Sequence, residues 1–155
     1  MRAARLAAAA KVPGQAAPAL EELCRELRDT RGVLDGALVR CMRGLTGQFL
    51  EEHAADEKIN GGISFDTLCK ADGFAGAVEF SHSIVRAPKA EAETPVPRAL
   101  AMALDVNIRV AVLDRSEAAR LVFDDHPALS ADAPTVHVQL RPGHYDLLYL
   151  AGTGL

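Results

Sequence analysis

The hydrophobic period of the chain changes once, between residues 104 and 106, and this change constrains the fold more than any other feature. Before it, apolar residues recur every three or four positions, as in amphipathic helices. After it, Val106, Ile108, Val110 and Val112 alternate with other residues, which is typical of a buried strand. Helices first and strands last predict an α+β fold, and 155 residues are enough for one domain with a single core.

Four helical segments are predicted before the change. The first has an apolar face formed by Leu20, Leu23, Cys24 and Leu27. The second runs to about residue 53, and its apolar face is formed by Leu34, Leu38, Cys41, Leu45 and Phe49. One or two helical turns are predicted over 65–70, and a last helix over 96–104 starts beside prolines, which the first turn of a helix tolerates. Residues 71–93 have no clear pattern.

Two further strands are predicted near the end of the chain, over 135–140 and 145–150. Between them, Arg141-Pro142-Gly143-His144 has the composition of a turn, so these strands should form an antiparallel hairpin. Residues 114–134 are predicted to be a loop, in which 124–127 (Asp-Asp-His-Pro) are loop or capping residues. The helices are therefore expected to be followed by a small antiparallel sheet that ends in a hairpin.

Composition argues against several classes of function. A net charge of −4 argues against a general binder of nucleic acid or of anionic membranes. No run of 18 apolar residues exists, so no membrane-spanning helix is predicted. The five histidines and three cysteines show no metal-ligand spacing, so we predict neither a metal site nor a cofactor.

The three cysteines also lie too far apart to form a disulfide framework. A reducing compartment, the cytoplasm or the nucleus, is therefore the expected location. Residues 1–17 are rich in Ala and Arg and contain no acidic residue, so organelle targeting is an alternative.

His144 opens the last predicted strand, and Asp146 follows two residues later. Side chains at these positions point the same way, about 6.5 to 7 Å apart along the strand. The carboxylate can reach one imidazole nitrogen, fix the tautomer and leave the other nitrogen free to take a proton from a nucleophile. A solvated polar face on an outer strand would contain the same two residues.

The string RPGHYDLLY, from Arg141 to Tyr149, resembles the end of the otubains, the OTU-type (peptidase C65-like) cysteine deubiquitinases, whose last strand contains RPGHYDILY. Residues 99–110 resemble the ALAQAL helix and V-x-I-x-V strand of that family, and 65–69 resemble its helical turn ending in Phe-Cys. The resemblance covers about residues 18–150. It implies the C-terminal part of a papain-like OTU fold. Outside it, the Ala- and Arg-rich residues 1–17 are expected to be unstructured, and 151–155 are expected to be a tail.

The resemblance also implies a chemistry. His144 would be the general base and acid of a Cys-His-Asp triad, and Asp146 the carboxylate that orients it. The bond cleaved would be the isopeptide linkage between the C-terminus of ubiquitin and a lysine. Arg141, Pro142 and Gly143 would set the turn that aims the imidazole. The implied partners are ubiquitin or polyubiquitin and a ubiquitin-conjugating enzyme, and no cofactor is implied.

The chain departs from the family at the nucleophile. Otubains place it in a segment of the type Asp-Gly-Asn-Cys-Phe, which this chain lacks; residues 35–38 are Asp-Gly-Ala-Leu. Cys24 and Cys41 lie on apolar helical faces, and Cys69 matches a non-catalytic position of the family. All three are expected to be small core residues rather than nucleophiles. Because triads act as units, the chain as given is expected to be inactive.

Three hypotheses follow. In the first, the chain is the C-terminal portion of a deubiquitinase whose nucleophile segment is missing through truncation or an incomplete gene model. In the second, it is a pseudoenzyme that binds ubiquitin or a ubiquitin-conjugating enzyme without cleavage. In the third, it is a structural fragment without an independent fold.

Overall fold

The computed structural model describes most of the chain after residue 32. The described residues are 18, 21–22, 24–25, 33–88, 90, 95–113, 121–141 and 144–148. The terminal segments 1–17 and 151–155, predicted to be an unstructured segment and a tail, lie outside them. The chain divides into two compact units, Met1–Met42 and Arg43–Leu155. No helix within the described ranges is long and apolar enough to cross a membrane.

The first unit is helical wherever it is described. The helix predicted over 20–27 is confirmed at its described positions, 21, 22, 24 and 25. The second predicted helix is confirmed as α1, Val33–Glu52, which begins in this unit. Cys24 is half-buried, but Cys41 is exposed. The expectation that Cys41 is a core residue is therefore wrong, and Val39 and Met42 beside it are exposed as well.

The second unit contains the end of α1 and three more helical elements, with a π-helical turn after the second. They are α2 (Phe65–Ala71), α3 (Ala77–Phe80), the π-helical turn (Ser81–Val85) and α4 (Pro95–Leu104). Helices α2 and α4 confirm the predictions. The α3 helix and the π-helical turn were not predicted, because segments of four and five residues are too short to show a hydrophobic period. Ser64 caps α2, since its Oγ accepts a hydrogen bond from the Thr67 N–H at 3.1 Å.

A four-stranded sheet follows the helices. Its strands are β1 (Asn107–Val112), β2 (Val122–His126), β3 (Thr135–Arg141) and β4 (His144–Leu147). Their order across the sheet is β2-β1-β3-β4. The α+β fold class is confirmed, and so is the antiparallel β3–β4 hairpin. The sheet as a whole is mixed rather than antiparallel, because β1 and β3 run parallel.

Strand β2 corrects the prediction of a loop over 114–134. It pairs antiparallel with β1, which places Asp125 opposite Arg109. The guanidinium of Arg109 donates to both oxygens of Asp125, Nε to Oδ1 at 2.6 Å and Nη2 to Oδ2 at 2.9 Å. Only His126 of this strand is buried. An edge strand without apolar alternation resembles a loop in sequence. Here the acidic residue Asp125 is accommodated in a strand because it accepts hydrogen bonds from Arg109 of the neighbouring strand.

The hydrophobic core of the second unit lies among its helices. Its buried members are Leu50, Phe65, Cys69, Ala77, Phe80, Val85, Ala99 and Met102. Phe74 packs edge-on against Phe80, with ring centroids 5.0 Å apart. The prediction that Cys69 is a core residue is confirmed.

Arg43 of α1 holds the segment that follows the π-helical turn. Its Nη1 donates to the carbonyl oxygens of Val85 at 2.9 Å and Ala87 at 2.8 Å, and its Nη2 to that of Ala90 at 2.7 Å. Charged donors satisfy carbonyl groups more strongly than neutral ones do. With the carbonyl of Ile84, which also accepts from Nη1 at 3.3 Å, this one side chain satisfies four backbone acceptors at the end of the π-helical turn and just after it.

Gly47 and Glu51 lie four and eight residues after Arg43, on the same side of α1, and the three residues form a polar stripe along the helix. Glu51 Oε1 accepts hydrogen bonds from Ser81 Oγ at 2.6 Å and from Arg86 Nη2 at 3.0 Å. The hydrogen bond from Ser81, together with Arg86, holds the pKa of Glu51 below its usual value. Close approach requires glycine at 47, because a Cβ there would lie 2.7 Å from Ser81 Oγ.

The apolar face predicted for α1 is only partly its buried face, because Phe49 packs against the core but Cys41 is exposed. Leu45 is exposed, whereas Thr46 and Leu50 are buried. The helix is oriented by hydrogen bonds that Arg43 donates to a distant segment and that Glu51 accepts from it, and such contacts leave no trace in a hydrophobic pattern.

Gly47→Ala should destabilise the second unit, and Gly44→Ala is its matched control. A methyl group at 47 would displace Ser81 and Arg86 from Glu51, which we expect to lower the free energy of unfolding by about 1–3 kcal/mol. A Cβ at 44 would meet nothing within 4 Å, so Gly44→Ala should raise the free energy of unfolding by about 0.5–1 kcal/mol through helix propensity. Urea denaturation of both variants measures the difference. Equal midpoints for the two variants would contradict the close approach at Gly47.

The lowered pKa of Glu51 also leads to a prediction of how the stability of the folded state depends on pH. The folded-state pKa of Glu51 lies below the ordinary value of 4.5. The stability that ionised Glu51 contributes to the folded state is therefore present above pH 4.5 and is lost as the pH falls through the folded-state pKa. Glu51→Gln should therefore lower stability at neutral pH and make stability less sensitive to pH below 4.5. Urea midpoints of the wild type and the variant, measured above and below pH 4.5, test this. Parallel curves for the two proteins would rule out this linkage.

Candidate active site

The β3–β4 hairpin brings the predicted site residues together. Across it, Arg141 pairs with His144 and Gln139 pairs with Asp146. Alternate residues of a strand lie on one face of the sheet, so all four side chains are on the same face. Residues 142–143, which join the two strands, lie outside the described residues.

His144 and Asp146 form a hydrogen-bonded pair, as their spacing on the strand predicts. His144 Nε2 lies 3.0 Å from Asp146 Oδ1. An ionised carboxylate can only accept a hydrogen bond. Nε2 is therefore the protonated nitrogen, and its N–H donates a hydrogen bond to Asp146. The lone pair of the neutral imidazole is then on Nδ1. This arrangement leaves one imidazole nitrogen free to take a proton from an approaching group.

The second oxygen of Asp146 has partners of its own. Oδ2 accepts a hydrogen bond from Gln139 Nε2 at 3.2 Å and another from Arg141 Nη2. Arg141 most strongly, followed by Gln139 and His144, holds the pKa of Asp146 below its ordinary value. From the sequence, Arg141 is expected only to set the turn, and Gln139 is not among the predicted site residues. The hairpin register would have identified Gln139, because a two-residue connection between the strands places residue 139 opposite residue 146.

The described structure does not place any of the three thiols at the start of a helix, where backbone N–H groups would be free. Cys69 is buried in α2, and burial, with Asp72 and Asp66, raises the pKa of its thiol to about 11. Cys41 lies in the middle of α1, where the backbone N–H groups bond within the helix. Cys24 is half-buried and helical.

A cleft of about 340 Å³ lies at the starts of β1 and β3 and the end of β2. Arg109, Asp125, His126 and His137 are among the residues that line it. His126 is buried, and burial lowers its pKa despite the nearby charge of Asp124, whose Oδ2 is 3.4 Å from His126 Nε2. In the residues that the structure describes, no group of three or more His, Cys, Asp or Glu could hold a metal ion.

Comparison with known proteins connects this hairpin to a family. The model of the family Peptidase C65 Otubain matches residues 21–150. Among solved structures, the chain is similar to a complex of ceOTUB1, ubiquitin aldehyde and UBC13~Ub, with a TM-score of 0.61 and 23% identity over 83% of this chain and 48% of that one. It is also similar to a complex of h/ceOTUB1, ubiquitin aldehyde and UBCH5B~Ub, with a TM-score of 0.60 and 22% identity over 83% and 46% of the two chains. At these identities the likeness establishes the fold.

The chain spans about half the length of the solved structures that it matches. A search of curated proteins finds no match.

The thiols should differ sharply in reactivity. Cys41 is exposed, whereas Cys69 is buried with a raised pKa, so a small disulfide reagent at neutral pH should modify Cys41 rapidly and Cys69 only after unfolding. Mass spectrometry of the peptides, with and without denaturant, measures both rates, and Cys41→Ser serves as the control. Rapid modification of Cys69 in the native protein would overturn its placement in the core.

Proposed function

The chain belongs to the otubain family of C65 peptidases, which are OTU-type deubiquitinases, and we propose that it supplies the general base and the orienting carboxylate of a thiol isopeptidase site. The substrate class is a ubiquitin conjugate, in which the C-terminus of ubiquitin is joined to a lysine. The observation that carries the proposal is the 3.0 Å contact between His144 Nε2 and Asp146 Oδ1, which leaves Nδ1 free.

Each step of the reaction uses Nδ1 of His144. It takes the proton of a thiol, and the thiolate attacks the isopeptide carbonyl. The imidazolium then gives that proton to the lysine amine as the C–N bond breaks, which leaves a thioester. Nδ1 next takes a proton from the water that attacks the thioester, and it returns this proton to the departing sulfur as the C–S bond breaks; the ubiquitin carboxylic acid loses its remaining proton to solvent. Asp146 stabilises the imidazolium through Nε2–H in both halves of the reaction.

The thiol for this reaction would come from a segment of the type Asp-Gly-Asn-Cys-Phe, which residues 1–155 do not contain. Cys69 is protonated at neutral pH because of its raised pKa, and Cys41 lacks free backbone N–H groups to stabilise an oxyanion. We therefore expect no cleavage by this chain alone.

A second candidate function is non-catalytic binding of ubiquitin or of a ubiquitin-conjugating enzyme. The placement of the described thiols favours it, since a protein without a nucleophile can still bind. The similar structures also contain ubiquitin aldehyde and ubiquitin-linked conjugating enzymes bound to OTUB1 proteins. The two candidates differ in whether Nδ1 of His144 ever receives a proton from a thiol.

Ubiquitin with a C-terminal electrophile tests the role of the thiols. Incubation with the chain should give no covalent adduct, whereas a small thiol reagent should modify Cys41 in the same sample, which shows that the thiols are reduced. Intact-protein mass spectrometry measures both reactions. A ubiquitin adduct at Cys24, Cys41 or Cys69 would identify a nucleophile and contradict the proposal of an inactive chain.

Calorimetry with ubiquitin, and separately with a ubiquitin-linked conjugating enzyme, measures binding. Both candidates predict that His144→Ala leaves this binding largely intact, so the two differ in cleavage. In a protein that contains this chain together with the nucleophile segment, His144→Ala should abolish cleavage. Normal cleavage by that variant would remove the proposed role of His144.

A further inference from the structure

We propose that Gln139 and Arg141 are positioning residues, which hold the carboxylate of Asp146 so that Oδ1 always faces His144. This inference rests on the proposed function for its catalytic meaning, but its structural content can be tested without any activity. It goes beyond the pair of residues that the family motif identifies, because Gln139 lies on the preceding strand and outside the string RPGHYDLLY.

The two oxygens of Asp146 are divided between different partners. Oδ1 accepts from His144, while Oδ2 accepts from both Gln139 Nε2 at 3.2 Å and Arg141 Nη2. The last torsion of an aspartate has a broad energy profile, so the carboxylate of a solvated residue turns easily. Two donors that converge on Oδ2 oppose that rotation. The carboxylate plane is then held with one oxygen directed at His144.

Both donors are fixed by the sheet rather than by a loop. Gln139 and Arg141 belong to β3, a central strand that pairs with β1 on one side and with β4 on the other. They stand directly opposite Asp146 and His144 in the register of the hairpin. A slip of one residue would move them to the other face of the sheet, so the same register that forms the His144–Asp146 pair also delivers its two supports.

The charge of Asp146 decides which nitrogen of His144 is the base. While the carboxylate is ionised it can only accept, which keeps the proton on Nε2 and the lone pair on Nδ1. A protonated carboxyl group could instead donate to Nε2, and the imidazole would then have its proton on Nδ1, where it could no longer accept one. Arg141 and Gln139 favour the ionised form and so preserve the reactive tautomer.

An ordinary surface ion pair between Arg141 and Asp146 is the competing explanation. Exposed pairs of this kind contribute little on their own, and Asp146 is 37% exposed. The second donor argues against it, since Gln139 has no charge to neutralise and still converges on the same oxygen. A structural ion pair would leave the tautomer of His144 indifferent to Gln139.

The test is a nuclear magnetic resonance titration of the chain labelled with ¹³C and ¹⁵N. The carboxyl shift of Asp146 reports its protonation, and the two imidazole nitrogen shifts of His144 report its tautomer. The variants are Gln139→Leu and Arg141→Gln. The matched control is Arg109→Gln, which removes a guanidinium from another aspartate, Asp125, of the same sheet.

Gln139→Leu and Arg141→Gln should each lower the ratio of the Nε2–H to the Nδ1–H tautomer by about two- to tenfold, which corresponds to the loss of one hydrogen bond. The titration midpoint of Asp146 should rise in both variants, more for Arg141→Gln. Arg109→Gln should shift the midpoint of Asp125 and leave the tautomer of His144 unchanged.

An unchanged tautomer ratio in Gln139→Leu, with a native amide spectrum, would overturn the inference. If Arg141→Gln does not fold, Arg141→Lys, which keeps the charge and loses the planar fork, provides the second measurement. Failure of the proposed function has a different signature, namely absence of ubiquitin binding and of His144-dependent cleavage while the tautomer still responds to Gln139.

Discussion

The parallel pairing of β1 with β3 is the constraint on which the candidate site depends. It makes β3 a central strand, so that the strand before the hairpin is held along both edges. The short strand β4 is at the edge of the sheet and pairs only with β3 among the described strands. The geometry of His144 and Asp146 is therefore inherited from β3, and β3 is fixed in turn by β1.

The site combines a solvated dyad with a rigid support. The side chain of His144 is 65% exposed, which suits a group that must reach a partner outside its own strand. Its orientation nevertheless depends on three hydrogen bonds to one carboxylate, two of them from β3. The exposed imidazole of His144 is accessible to a reacting group, and the register of the hairpin sets the direction in which the imidazole points.

The helical part of the second unit is organised by polar contacts as much as by its core. Arg43 and Glu51 face one segment, where they satisfy backbone carbonyls and the side chains of Ser81 and Arg86. Gly47 lies between them and allows the close approach. This explains why the hydrophobic pattern located α1 correctly along the chain but identified its buried face only in part, since Phe49 packs against the core and Leu45 is exposed.

The sequence by itself determined that helices precede strands, that the chain ends in a hairpin and that His144 and Asp146 are spaced i, i+2, because hydrophobic period and turn composition are local properties. The family motif pointed to the same two residues. Only the tertiary structure decided the parallel pairing of β1 with β3, the strand β2 and the support of Asp146 by Gln139. Strand pairing joins residues that are far apart in the chain, and an edge strand such as β2 needs no apolar alternation when its charged groups meet partners on a neighbouring strand. The burial of Cys69 and the exposure of Cys41 were settled in the same way, since a helical pattern shows which residues share a face but not which face meets the core.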